Sequence, residues 1–417
     1  MSKITTPKHP FLTQYSTNKS CRENAIDQLK RFLSDPVLSY TSTRNHDFGR
    51  NQRYNTSCLS IWIDKRVLLE EEVITATLKH NKYKDVEKFI HEVFWRTYFK
   101  GWLEHRPQVW ADYKRDLENL FDRFDKDALL RNNYNQAIAG KTQIACMDEW
   151  ANELIETGYL HNHARMWFAS IWIFTLKLPW QLGADFFLRH LHDGDAACNT
   201  LSWRWVAGLH TKGKHYVASQ SNIEKFSNGQ FSPEGLVEHP APLTEDKDYP
   251  VQNINIPTHP ELVQNYGLII TNADCHPIFS SEDKNPSIIF ALSAHPHNKR
   301  LQSAQSVIEL RQKAINEAAA KAQDMYDCPI IHFDEANIAD TLVEHCQLQD
   351  IKHLMTSYLT VGPMRDAVTT ALHKLKQADI ELHQVMRFYD KAAWPHTSKG
   401  FFNLKKHIPN LIEALKR

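Results

Sequence analysis

Along residues 20 to about 210, apolar positions recur at intervals of three and four. In EKFIHEVFWRTYFKGWL (87–103), Phe89, Ile90, Val93, Phe94, Tyr98 and Trp102 form one such stripe, the period of a helix with one buried face. From about residue 265 the pattern changes to short β-rich runs: GLIIT, SIIFAL, CPIIHF, HLMTSYL and LHQVMRFY. These alternate with helical stretches such as QSVIELRQKAINEAAAKAQDM. Strands alternating with helices imply a parallel α/β sheet. Between the two patterns, GQFSPEGLVEHPAPLTEDKDYPVQNINIPTHPEL has no period and is rich in Pro and in polar and acidic residues, so it reads as a surface linker. The expected fold class is α + α/β, a helical unit over 1–240, a linker over 241–262 and a Rossmann-like parallel α/β unit over 263–417. No internal repeat or low-complexity tract is evident.

At 417 residues and 42% hydrophobic composition the chain can bury a large core. No run reaches the roughly 18 apolar residues of a membrane helix, and the polar start, MSKITTPKHPFLTQYSTNKS, lacks a signal-peptide core, so a cytoplasmic location is expected. The seven cysteines are odd in number, scattered and without a CxxC pair, which reads as reduced thiols and no metal centre. Forty-nine basic and 49 acidic side chains cancel, so any nucleic-acid site must be a local basic patch. The 11 Trp, 14 Tyr and 20 Phe lie mainly before residue 240, on helical segments. The sheet half carries neither a glycine-rich dinucleotide fingerprint nor a GxxxxGK[ST] loop, so a phosphate-bearing cofactor must be held mostly elsewhere.

Unusual residues concentrate in HEVFWRTYF (91–99), GYLHNHARMW (158–167) and LPWQLGADFFLRHLHDGDAACNTLSWRWVAG (178–208). Asp193, Asp195 and Asn199 with Trp203 and Trp205 place carboxylates, an amide and two indoles close together, a set unfavourable to bury without a purpose. A calcium loop is disfavoured, because DGDAACN has alanine at the fifth position, no glycine at the sixth and no glutamate at the twelfth.

The spacing Trp180…Asp193-Gly-Asp195-x-x-x-Asn199-x-x-x-Trp203-x-Trp205 resembles the flavin domain of class I cyclobutane-pyrimidine-dimer photolyases, in the photolyase/cryptochrome family. Thr56-Ser57-Cys58-Leu59-Ser60 resembles the family's TSRLS loop, Glu92-x-x-Trp95-Arg96 its ExxWRxF helix, and His161-Asn162-His163-Ala164-Arg165-Met166 its HNRxRM helix; the similarity covers about residues 20–240. The sheet half and the closing WPHTSKGFFNLKKHIPNLI resemble the family's antenna domain, which in the family precedes the flavin domain. The chain therefore reads as a circular permutant, a reordering that neighbouring termini make tolerable.

The resemblance implies an all-helical photolyase-type domain that binds flavin adenine dinucleotide (FAD) and, under blue light, donates an electron from the reduced flavin to a cyclobutane pyrimidine dimer in damaged DNA. A cryptochrome-like photosensor is the alternative. Thr56, Ser57, Leu59 and Ser60 would hold the phosphates, and Tyr40, followed by Arg44, would pack near the cofactor. Cys58 stands where the family has Arg, a loss that Arg53 or Arg50 would make good. Arg165 would pair with Asp193 beside the flavin ring, with Asp195 nearby and the Asn199 amide against the reducible ring nitrogen. Glu92, Trp95, Arg96, Asn162, Met166 and Trp205 match the positions that hold the everted dimer, Glu92, Arg96 and Asn162 also bordering the cofactor; left to themselves, Glu92 and Arg96 would read as an i,i+4 ion pair. His163 replaces an Arg expected at the DNA. Trp203 and Trp180 match the inner and middle members of an electron relay whose outer member falls on Asp127, leaving Trp172, Trp150 or Tyr134 as substitutes. The resemblance also implies a second, antenna chromophore, whose identity the residues leave open. Since the motifs lie before residue 210, the flavin would need no essential contact from residues 260–417.

Overall fold

The computed structural model describes residues 18–258, 265–276, 285–295 and 300–415; residues 259–262 of the expected linker and parts of the 263–417 unit lie outside them. From Cys21 to Phe226 every regular element is helical, with the long helix Tyr83–Glu104 at the centre of the bundle. Its apolar stripe is buried as the periodicity requires: Phe89, Ile90, Val93, Phe94, Tyr98 and Trp102 are all below a tenth exposed. One π turn, Ile171–Thr175, extends the helix Asn162–Ser170.

Each β-rich run becomes a strand: β1 Tyr266–Thr271, β2 Ile288–Ser293, β3 Ile330–Asp334, β4 His353–Ser357 and β5 Glu381–Val385. They form one parallel sheet in the order β3-β2-β1-β4-β5. Branched side chains on both faces of the central strands explain why β1 and β2 are buried throughout. The helices Ile338–Leu348 and Pro363–Gln377 cover the face bearing Ile269, Phe290 and Leu354. The opposite face, with Leu268, Ile289 and Met355, packs on the helix Gln305–Tyr326 and belongs to the same core as the helical half. Among the described residues no helix is long and apolar enough to cross a membrane.

The expected linker is not a free tether. Its described part, 241–258, has no regular element but is strapped to the bundle: Gln252 N–H donates to the His105 carbonyl, the Tyr249 hydroxyl to Asp112 at 3.1 Å, and Arg204 pairs with Glu245. The halves also share a seam of buried charge. Arg66 reaches Asp274 at 2.6 Å and Asp390 at 2.9 Å, while Arg311 reaches Asp64 at 3.0 Å and the Gly194 carbonyl at 2.8 Å. Asp64, Arg66 and the Gly194 loop thus take partners from the sheet half, so the two halves are joined by ion pairs as well as by the linker.

Candidate functional site

The loop Thr56–Leu59 leads into a single helical turn, Ser60–Ile63. Cys58 adopts a left-handed φ of 49° and is buried, its sulfur 3.4 Å from Thr56 Oγ1. The Ser57 carbonyl accepts from Gln28 at 2.8 Å, whose own amide oxygen accepts from Trp62, so the loop is braced from behind. Tyr40 packs edge-on against Phe32 and Phe89 beside it. The suggested replacement for the missing arginine does not hold. Arg53 is fully buried and already bound by Asp47 and Glu153, and Arg50 pairs with Glu149 and Glu156; a guanidinium neutralised twice has no charge to spare for a phosphate.

A second loop, Leu191–Asp195, enters the helix Ala196–Ala207. Asp195 caps that helix, accepting from the Cys198 N–H at 2.7 Å, and pairs with Arg96 from the long helix. Asp193 is paired with Arg165, from the helix Asn162–Ser170, at 3.0 Å. Burial works to raise the Asp193 carboxyl, yet Arg165 and the nearby Ser60 hydroxyl hold it below the usual range. Among the described residues Asp193 Oδ1 is buried and accepts no hydrogen bond of good geometry. Asn199, one turn into the helix, donates to the Ala184 carbonyl at 2.7 Å, and among the described residues its Oδ1 accepts no hydrogen bond. Lys65, absent from the sequence reading, is wholly buried below this loop and bonds the carbonyls of Ile61 and His192; burial lowers its pKa.

Glu92 and Arg96 do not pair with each other. Glu92 binds Arg44, and burial pushes its carboxyl above the usual range despite that guanidinium, while Arg96 turns to Asp195. Trp95 leaves the group: its ring stacks at 3.9 Å and 8° on Phe401, from the C-terminal helix Phe401–Ala414. Asn162 is exposed, with Nδ2 4.0 Å from the half-buried Met166 sulfur. Trp205 stacks on Tyr216 at 5.9 Å. His163 is buried on Trp167 and bonds the Asn45 carbonyl, so its ring is spent on the interior.

Trp203 and Trp180 are both buried. From Trp203 the aromatic chain runs to Trp172 at 6.1 Å and on to Tyr134 at 6.1 Å. From Trp180 it runs to Tyr113 at 5.6 Å and Trp110 at 5.2 Å, two residues the sequence reading did not single out. Trp150 stacks instead on Trp167. Asp127 caps the helix Ala128–Ile138.

Comparison with known proteins bears on this half. Residues 89–261 match a family described as the FAD binding domain of DNA photolyase. The deoxyribodipyrimidine photo-lyase of Neurospora crassa is 26% identical over 51% of the chain and 34% of its own length. That of Streptomyces griseus is 36% identical over 30% and 26%. A bacterial class III photolyase structure from Agrobacterium tumefaciens is 26% identical, with a TM-score of 0.42 over 50% of this chain and 42% of its own. The matches thus span less than half the length of these relatives. The matched stretch holds Glu92, Arg96, Arg165, Asp193 and Asn199 together with the helices that carry them, and over that stretch this match and these relatives support the photolyase/cryptochrome family.

Proposed function

We propose that the chain is a light-driven flavoenzyme that splits cyclobutane pyrimidine dimers in DNA. The observation that carries it is the pairing of half-buried Arg165 with buried Asp193, inside the stretch matching a FAD-binding domain. The donor set suits FAD: hydroxyls at Thr56, Ser57 and Ser60 and the backbone at Leu59 for the phosphates, Tyr40 as packing, and a guanidinium and an amide for the ring. The unpartnered Asp193 Oδ1 and Asn199 Oδ1 are groups a ring edge would satisfy. Bound there, a reduced flavin would supply the photoexcited electron. Arg165 holds Asp193 ionised, the Asn199 amide tolerates negative charge that a carboxylate would repel, and the Arg96–Asp195 pair fixes the start of the helix carrying Asn199.

For the lesion, the half-buried Glu92 carboxyl, raised by burial, can share a proton with a base carbonyl, while Met166 and Trp205 offer surfaces and Asn162 an exposed amide. Trp203 and Trp180, both buried, would form the inner and middle members of an electron relay that keeps the cofactor reduced. We further read residues 1–240 and 263–417 as two domains joined by 241–262, in the reverse of the family's order. A second, antenna chromophore belongs to the same proposal. The cavity at the seam, lined by Asp195, Asn272 and Thr360–Met364, is about 60 Å³, so these loops would have to open to admit it.

The test is illumination of the reduced, full-length protein with an oligonucleotide containing one thymine dimer. Recovery of thymine absorbance is expected, and no recovery under any reducing condition would remove the repair reading. A photosensor is the second reading, favoured by the stacking of Phe401 on Trp95, which covers one of the surfaces assigned to the lesion. Light-dependent flavin reduction without repair, and equal affinity for damaged and undamaged duplex, would support it.

A further inference from the structure

The outer edge of the sheet carries a cluster of two histidines and a glutamate. β4 begins at His353 and β5 at Glu381, and the register sets His353 opposite Glu381 and Met355 opposite His383. Cross-strand partners and residues two apart on one strand share a face, so all three side chains project from the same side. His353 Nδ1 lies 3.0 Å from His383 Nε2, and Glu381 Oε2 lies 3.7 Å from that same nitrogen. The three ligand atoms all fall within 4.8 Å of one another.

We propose that His353, His383 and Glu381 form a binding site for a divalent transition-metal ion of the zinc class. With bonds of about 2.0–2.2 Å, the ligand atoms of a tetrahedral ion are about 3.3–3.5 Å apart. The two separations seen here, 3.0 and 3.7 Å, lie on either side of that value, so side-chain rotation would suffice to close the site. Two facing imidazole nitrogens can share one proton but cannot both donate; a metal replaces that proton and uses both lone pairs. The His383 side chain is 17% exposed and that of Glu381 69%, which gives one shielded nitrogen and one entry side with room for water. Two imidazoles select zinc, nickel or copper over magnesium and calcium, which require oxygen ligands. The bound ion would staple β5, an edge strand whose one neighbouring strand among the described residues is β4, to that neighbour at the start of both strands.

The experiment is calorimetric titration of Zn²⁺ into chelator-treated full-length protein, with Mg²⁺ as control. One tight equivalent and a higher melting temperature are expected with Zn²⁺ alone. The stacked surface pair His396 and His407, which has no carboxylate in the cluster, is the internal control. His396→Gln/His407→Gln should leave the titration unchanged, whereas His353→Gln/His383→Gln should abolish it. Glu381→Gln should weaken it by at least about 10–100-fold, the loss typical for even an outer partner of a ligand. An unchanged isotherm in His353→Gln/His383→Gln, equal competition by Mg²⁺, or no binding to folded protein overturns the site. Should the double variant not fold, the exposed Glu381→Gln decides, and unchanged affinity there also overturns it.

Discussion

The helical half buries charge, and the sheet half buries almost none except where the two meet. In the first, Arg53, Asp64, Lys65, Arg66, Glu70, Glu153, Asp193 and five histidines lie below a tenth exposed. In the second, the face of the sheet turned away from the bundle is filled by Ile269, Phe290, Leu292, Leu354, Leu342 and Val368. Its buried charged groups, Asp274, Arg311 and Asp390, all point into the seam. An apolar core needs only volume and period, whereas each buried charge needs a named partner. The difference separates a scaffold from a site.

The largest expected effect of that asymmetry is on acid stability. Burial lowers the pKa of His161 and His210 to about 3 and of His190 and His192 to about 4, from about 6.5 when unfolded. As pH falls below about 6.5 the unfolded chain takes up protons that the native chain refuses, so stability declines from there towards pH 4. Glu70, held near 2 by Arg387 against the opposing effect of burial, adds to the loss once pH falls through its unfolded value of about 4.5. Urea melts between pH 7.5 and about 4 should show a steep loss. A flat profile would mean that the histidines are solvated and that the comparison of interiors is mistaken.

Next in size is the seam. Asp390→Asn removes one of the two carboxylates that Arg66 reaches and also one of the three that Arg387 reaches. Breaking a buried ion pair from one side is worth about 3–5 kcal/mol, and the loss should be read as one cooperative melt of both halves. Two separate transitions would show that the halves fold independently, contrary to the shared core.

Within the site the expected effect is smaller and appears in binding rather than stability. Trp205→Ala should lower affinity for dimer-containing DNA by about 1–3 kcal/mol, the value of one stacking contact, with flavin content unchanged. Trp95→Ala, whose ring already lies on Phe401, should mainly lower stability. If the two variants behave alike in DNA binding, the C-terminal helix moves aside when DNA arrives.

How much of this was legible depends on how local each cause is. The five strands follow from branched runs, and the long helix from one stripe, because period is a property of neighbouring residues. The Arg165–Asp193 pair was reached through the motif spacing. Three other features lay beyond reach. Trp95 meets Phe401 across most of the chain, Arg53 is claimed by Glu153 a hundred residues away, and Glu92 chooses Arg44 over Arg96 one turn along its own helix. Each is decided by tertiary competition among charged or flat side chains, and spacing along one element carries no record of it. Lys65 sent no signal at all, since a lysine after an apolar turn reads as surface.

The smallest expected effect concerns the loop after β4, where the sheet half touches the helix that carries Asn199. Gly362 has φ of +152°, a region nearly closed to other residues, and a Cβ there would sit 3.1 Å from the Ala196 Cβ. Gly229 has φ of +74° with open space around it, so Gly229→Ala reports backbone strain alone, about 1–2 kcal/mol. Gly362→Ala adds the contact with Ala196, three residues before Asn199 and next to the capping Asp195. The excess of the second loss over the first therefore combines the harsher backbone conformation at Gly362 with the press of Ala196. Equal melting shifts for the two variants would mean that the loop yields freely, leaving the ion pairs of the seam as the coupling between the halves.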